Sequence, residues 1–325
     1  LSEAALWTDS RYFIQAEAQL QGTGIDLMKM GVEGVPDIVS WLNARFDGGC
    51  RILLDGALIS AAEYASYNKK LNARVVGIAD PFDEILPERE PLYFETVILH
   101  PESFSGLSVA AKREMVFSGD PADLRICRIL TRCDDIIWLC NIRGSDIDYN
   151  PVALSYALVF SDNILLFACK EAFEEAALEY LASQQVEILP YASFYDVCGE
   201  MASDESIHFL SPASSTSMRL ESIFADSRHF GYESRSEGEV AYCKSIKNPV
   251  ELEGFCKANL LDGIAWCRIL KYIEDNIETG TLNEYSIAQQ LIEYRGESPD
   301  YRGESFEPIV AFNANAASAH YSANS

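Results

Sequence analysis

The sequence predicts an α/β fold in which mixed sheets carry helices packed on them. Three observations support this. Short apolar runs alternate along the chain with segments of helical period. Helix starts are marked by capping residues, most plainly the box Ser60-Ala61-Ala62-Glu63 and the pair Asn248-Pro249 followed by Glu251 and Glu253 in a first turn. Residues 155–160 and 164–169, separated by Ser161-Asp162-Asn163, have the form of a β-hairpin. At 325 residues the chain is long enough for two domains or more.

The elements follow in order. Residues 6–8 are strand-like, and Asp9 or Ser10 caps a helix over 11–18 that stops near Gly22 and Gly24. Residues 27–30 form a short strand, and Pro36-Asp37 opens a helix carrying Ile38, Val39, Trp41 and Leu42. Residues 51–55 read as a buried strand, the capped helix runs from Ser60 to about Leu71, and 73–78 is the next strand. These make a first unit, 1–90. The proline-rich acidic stretch 80–91 reads as a linker.

A second unit spans 91–241. It holds apolar residues over 92–99, a helix over 108–116, a strand over 124–130, the hairpin, and an amphipathic helix marked by Phe173, Ala176, Ala177, Tyr180 and Leu181. A strand at 186–189 and a helix with Phe194 and Val197 follow. Residues 201–239, rich in Ser, Asp and Glu, read as surface loop with short elements. The third unit, 242–325, opens with a long helix to about Asn276, with an apolar stripe of Leu252, Phe255, Cys256, Ile264, Cys267, Leu270 and Ile273. Gly280 ends it, and Asn283 or Glu284 begins another helix. Tyr294-Arg295-Gly296-Glu297-Ser298 recurs at Tyr301-Arg302-Gly303-Glu304-Ser305, a single recurrence that reads as loop, and 306–312 is strand-like.

Composition narrows the function. The net charge of −25 argues against nucleic acid or an anionic membrane as the main partner; it permits a basic one. Its plainest meaning is a soluble acidic surface. No apolar run approaches a membrane span. The first seven residues do not read as a secretory signal, and, lacking an initiator Met, the chain is expected to lack its true beginning. Nine scattered cysteines with no Cys-x-x-Cys pair and no His at zinc spacing favour a reducing, cytoplasmic setting.

The stretch 133–151 is the most distinctive. Apolar residues Ile136 to Leu139 run into the polar elbow Arg143-Gly144-Ser145-Asp146, in which Gly144 is expected to take a backbone conformation that other residues resist. Physically this is a helix-to-strand connection. As a string, Asp134-Asp135-Ile136-x-Trp138-Leu139-x-Asn141-x-Arg143-Gly144-Ser145-Asp146-Ile147-x-Tyr149-Asn150-Pro151 resembles the signature of the non-catalytic middle domain of cytosolic Xaa-Pro aminopeptidases (aminopeptidase P). Further resemblances occur in the family's order: residues 6–16, Met28-Lys29-Met30-Gly31, the linker Pro87-Glu88-Arg89-Glu90-Pro91, residues 245–254, and residues 305–310 through His320-Tyr321.

The resemblance implies a three-part metallopeptidase of the creatinase/pita-bread type. Two creatinase-like α/β domains would precede the beginning of an α+β pita-bread domain. It implies two divalent metal ions, usually manganese, held by two Asp, one His and two Glu, and a metal-activated hydroxide that attacks the peptide bond before proline. Substrates would be peptides with proline second, and a homodimer in the cytoplasm is expected. In the family every metal ligand follows the His-Tyr motif, so the ligands are expected downstream of Ser325 and this chain alone is expected to bind no catalytic metal and to hydrolyse nothing. Around His100, His208, His229 and His320 the sequence offers no substitute carboxylate–His set.

Two residues are carried as substrate-binding candidates. His320 matches the family His that helps bind substrate and stabilise the developing oxyanion. The family has Gly-Pro-Asn-Gly-Ala before it, whereas this chain has Asn313-Ala314-Asn315-Ala316-Ala317. Arg143, with Asp146, is a candidate for the substrate entrance or a subunit contact, with an intradomain salt bridge or cap as the plainer role. Trp7 and Trp138 are expected in cores, and Arg11 with Asp9 as a surface pair. The family's first-domain substrate Arg is expected before Leu1. The rival reading is a non-enzymatic creatinase-like binder of a basic partner, as in a histone chaperone; the Arg143-Gly144-Ser145-Asp146 string favours the peptidase.

Overall fold

A computed structural model describes residues 3–80, 86, 88 and 90–323. Much of the expected linker, Pro81 and Pro87 included, lies outside the described residues, as do Leu1 and Ser325. In chain order the elements are β1 (Ala5–Thr8), α1 (Phe13–Gln19), β2 (Asp26–Lys29), α2 (Ile38–Asn43), β3 (Arg51–Asp55), α3 (Ala61–Lys70) and β4 (Arg74–Ile78). Then come β5 (Ile98–Leu99), α4 (Glu102–Ser105), α5 (Val109–Phe117), β6 (Arg125–Leu130), α6 (Cys133–Cys140), β7 (Ile142–Arg143), β8 (Tyr156–Val159), β9 (Ile164–Ala168), α7 (Glu175–Ser183) and β10 (Val186–Pro190). The chain continues with α8 (Phe194–Met201), β11 (Ile207–Ser211), α9 (Met218–Ile223), β12 (Phe230–Tyr232), α10 (Glu239–Ser245), α11 (Pro249–Asn276) and α12 (Glu284–Gly296). By packing, these fall into two compact units, one of Leu1–Gly49 with Phe255–Ser325 and one of Cys50–Gly254.

The Cys50–Gly254 unit is built on a six-stranded sheet of order β10-β9-β8-β6-β11-β12. All neighbours pair in parallel except β8, which runs antiparallel to both β6 and β9; the 156–168 hairpin is thus part of the main sheet. Alternation along β8 sends Ala157 and Val159 into one core with α6 and α7, and Leu158 into a second with Phe194, Phe209 and Leu220. The sheet is therefore covered on both faces, which is why its strands are apolar without a polar side.

Two expectations for this unit are corrected. The stretch read as surface loop, 201–239, contains β11, an interior strand between β6 and β12 with Ile207 and Phe209 buried. Its Ile-His-Phe-Leu-Ser alternation is short and sits between Ser- and Asp-rich turns, which hid it. Residues 51–55 form a strand but not a buried one: among the described residues β3 pairs only with β4, in a two-stranded ladder, and Leu53 is 53% exposed. Within 92–99, Ile98–Leu99 pairs antiparallel to β7, and Val97 makes an isolated parallel bridge with Phe173.

In the other unit β1 and β2 pair in parallel, with Trp7 opposite Met28. The Trp7 indole donates to the Pro36 carbonyl at 2.8 Å and meets Trp41 edge-on. Asp37 caps α2, and Asp9 caps the 3-10 turn Ser10–Tyr12 that leads into α1. The buried face of α11 is Ala265 and Ile269, against Leu291 of α12. The predicted stripe is not that face. Leu270 is 60% and Phe255 54% exposed, and of the stripe only Ile273 packs against this core. The helix is apolar on more than one side, so periodicity alone could not choose which side faces inward.

The recurrence is also not simply loop. Its first copy closes α12, and Arg295 there reaches Asp262 of α11 at 2.7 Å and Glu304 of the second copy. Residues 306–312 form no strand, since no neighbouring segment pairs with them among the described residues.

Candidate functional site

His320 follows the 3-10 turn Asn313–Ala317. Asn313, where the resembling motif has its first glycine, adopts φ +51°. Asparagine tolerates the left-handed region better than other side chains, so the turn forms here without glycine. The turn is fastened by one carboxylate. Asn283 caps α12 through a reciprocal box with Ser286, which places Glu284 in the first helical turn. Glu284 then accepts from the Phe312 amide at 2.5 Å, from the Asn315 side-chain amide at 3.0 and 3.1 Å, and from the Tyr321 hydroxyl at 2.7 Å. These donors, the Tyr321 hydroxyl foremost, hold Glu284 below the usual carboxylate range.

The His320 ring lies flat on Tyr12, with centroids 4.7 Å apart and planes 9° apart. Beside Tyr12, Arg11 donates through Nε and Nη2 to Asp9 at 2.9 and 2.8 Å. That hydrogen-bonded guanidinium holds the Asp9 carboxyl at about 2, with His320 adding a smaller contribution in the same sense. An imidazole stacked in this way keeps both nitrogens at the ring edge, where an N–H can donate to a carbonyl or a developing oxyanion. Sequence reasoning singled out His320 but missed Tyr12 and Glu284. Glu284 looked like an ordinary helix start, and its partners Asn315 and Tyr321 lie 31 and 37 residues away.

Arg143 lies in the other unit and is used differently. Its Nη1 donates to the Ile142 carbonyl at 2.7 Å and the Ile137 carbonyl at 3.4 Å, at the C-terminal end of α6. Asp146 accepts from the Glu95 and Leu154 amides, each at 2.6 Å. The left-handed residue of the elbow is Asn141, φ +53°, not Gly144. Gly144 is needed for space: a Cβ there would fall 2.8 Å from the Val152 carbonyl oxygen and 3.0 Å from the Ala153 Cα.

Under the elbow lies a buried polar network. Lys112, 1% exposed, donates to the Trp138 carbonyl at 2.7 Å and to Asn141 Oδ1 at 2.6 Å, with Nζ 4.5 Å from the centre of the Trp138 ring. Burial pushes its amine down to about 8. Asn141 in turn donates to the Leu107 carbonyl and the Tyr180 hydroxyl. The Trp138 indole donates to Glu251 at 3.1 Å, and Asn248, the residue before α11, donates to the Ser105 carbonyl at 2.8 Å. Burial first, then Arg143 and Lys112, push His100 down to about 4. His208 and His229 meet edge to face at 4.6 Å, and among the described residues no three His, Cys, Asp or Glu side chains gather as metal ligands.

A mixed sheet covered on both faces, an elbow closed on its own backbone, and a capped helix start tied to it together define a creatinase-type N-terminal module. The profile of the Creatinase/Prolidase N-terminal domain matches residues 88–251, and the chain belongs to that family. Among curated relatives it is 33% identical over 339 residues to a probable Xaa-Pro aminopeptidase P of Coprinopsis cinerea, covering 99% of this chain and 54% of that protein. It is 30% identical over 327 residues to Xaa-Pro aminopeptidase ApepP of Drosophila melanogaster, covering 98% and 52%. The solved X-prolyl aminopeptidase of Caenorhabditis elegans, described as a cytosolic enzyme with a di-nuclear active site, superposes with TM-score 0.87 at 28% identity over 98% of this chain and 53% of that one. The chain spans about half the length of the curated relatives it matches.

Proposed function

We propose that this chain is the N-terminal portion of a metal-dependent Xaa-Pro aminopeptidase, which removes the residue preceding proline from a peptide's N-terminus. The observation that carries this reading is similarity over 98–99% of the chain to proteins so named, joined to the elbow signature inside the family match. The relatives' names weigh against the non-enzymatic binder. The motifs support a three-part division at about 90 and 241, with 242–325 opening a pita-bread domain.

In this reading His320 binds the substrate carbonyl and donates to the oxyanion; its stack on Tyr12 and the fastening of its loop support that role. For Arg143 the carbonyl contacts support a capping role over a substrate role. The di-nuclear site described for the Caenorhabditis elegans enzyme supports two divalent ions, by our reading manganese, in the whole protein. The residues described here do not fit such a pair, so its ligands are assigned to the part that the longer relatives carry beyond this stretch, and no step is routed through the metals. A cytoplasmic homodimer accords with the cytosolic description of that same enzyme.

The test is to assay the whole gene product on an Xaa-Pro peptide with manganese, and again after chelation. Release of the first residue, lost on chelation and absent for the 325-residue chain alone, is expected. Failure of the whole protein to cleave any Xaa-Pro peptide would overturn the proposal.

A further inference from the structure

We propose that Glu284 is the positioning residue for His320: by gathering the Phe312 amide, the Asn315 side chain and the Tyr321 hydroxyl on one carboxylate, it sets the loop so that the imidazole lies on Tyr12. Its importance for substrate rests on the reading of His320 given above, but the positioning itself does not.

The geometry is specific. Oε1 takes the Phe312 amide, which fixes the backbone at the start of the turn. Oε2 takes the hydroxyl of Tyr321, the residue next to His320, which fixes the end of the turn. The Asn315 amide lies within reach of both oxygens and also donates to the Tyr321 hydroxyl at 3.0 Å, closing a ring of contacts through the middle. Three points of a ten-residue span, 312 to 321, are thus tied to one helix start. Glu284 is itself fixed, because the Asn283–Ser286 box sets the first turn of α12. This also gives Asn315 and Tyr321 a role: they are the side chains that engage the carboxylate. A general helix-start effect does not account for this. An acid in a first turn needs only the helix's own amides, whereas this carboxylate is occupied by groups outside the helix.

The test is proton NMR of the four histidine rings of this chain, with the His320 signal assigned by its loss in His320→Gln. Stacking on Tyr12 displaces the His320 ring protons upfield, and Tyr12→Leu removes that displacement. Glu284→Ala is expected to abolish it while the His100, His208 and His229 signals stay in place. Glu284→Gln, which keeps one acceptor oxygen, retains part of it. Should Glu284→Ala disturb all four signals, Tyr321→Phe decides: it leaves α12 untouched and is expected to move only His320, toward its unstacked position. An unchanged His320 signal in Glu284→Ala, or in Tyr321→Phe where that variant decides, overturns the proposal, as does a wild-type signal that Tyr12→Leu fails to move. Peptidase activity of His320→Gln in the whole protein tests the functional reading separately; full activity there would sink that reading and leave the positioning result standing.

Discussion

The elbow at 141–146 and the loop at 312–321 look alike as sequence: each is a short polar turn with residues able to do chemistry. Their surroundings differ. At the elbow Arg143, Asp146, Asn141 and the buried Lys112 all direct their hydrogen bonds at backbone or side chains of the same unit. The loop lies at the surface, fastened by one half-buried carboxylate, and its histidine makes a ring contact that leaves its polar edge available. A turn whose polar groups bond within their own unit specifies architecture, while one that is held from behind with a free edge can meet a substrate.

The contrast can be broken or sharpened by mutation. The largest effect is expected at the elbow's support. Leu139 is fully buried in α6, and Leu139→Ala should cost about 3 kcal/mol in denaturant unfolding. Gly144→Ala should cost about 2 kcal/mol, because backbone atoms of 152 and 153 must move away from the new methyl. The third effect is pH-dependent. His100 is held near 4 in the fold against an ordinary 6.5. Its contribution is present above the unfolded value and lost as pH falls through the folded one, so stability should decline between about pH 6.5 and 4 by on the order of 1–2 kcal/mol. His100→Gln should flatten that segment of the curve. The smallest effect is expected at the loop: Tyr321→Phe should leave the unfolding midpoint where it was, which is what separates a positioning contact from a core one. A large midpoint drop there would erase the contrast.

Much of this was legible in the sequence. Caps at Asp37, Ser60 and Asn283 and the hairpin at 156–168 are local signals, and local chemistry fixes them. The interior position of β11 was not legible, because five residues between polar turns gain their burial only from β6 and β12 on either side. The buried side of α11 was hidden for the same reason: which of its apolar sides faces inward is decided by α12. At the candidate site, His320 was singled out by its motif, whereas its contacts with Tyr12 and the hold of Glu284 on its loop run across hundreds and tens of residues respectively, which no local pattern encodes.

The most direct measurement compares His320→Gln and Arg143→Gln in the whole protein, each scored by kcat/KM on an Xaa-Pro peptide and by unfolding midpoint. His320→Gln is expected to lose about a hundredfold in kcat/KM at an unchanged midpoint, and Arg143→Gln to lower the midpoint while kcat/KM, measured below it, stays near wild type. The reverse pattern, with activity lost at Arg143 without loss of stability and kept at His320, would overturn the roles assigned to both residues.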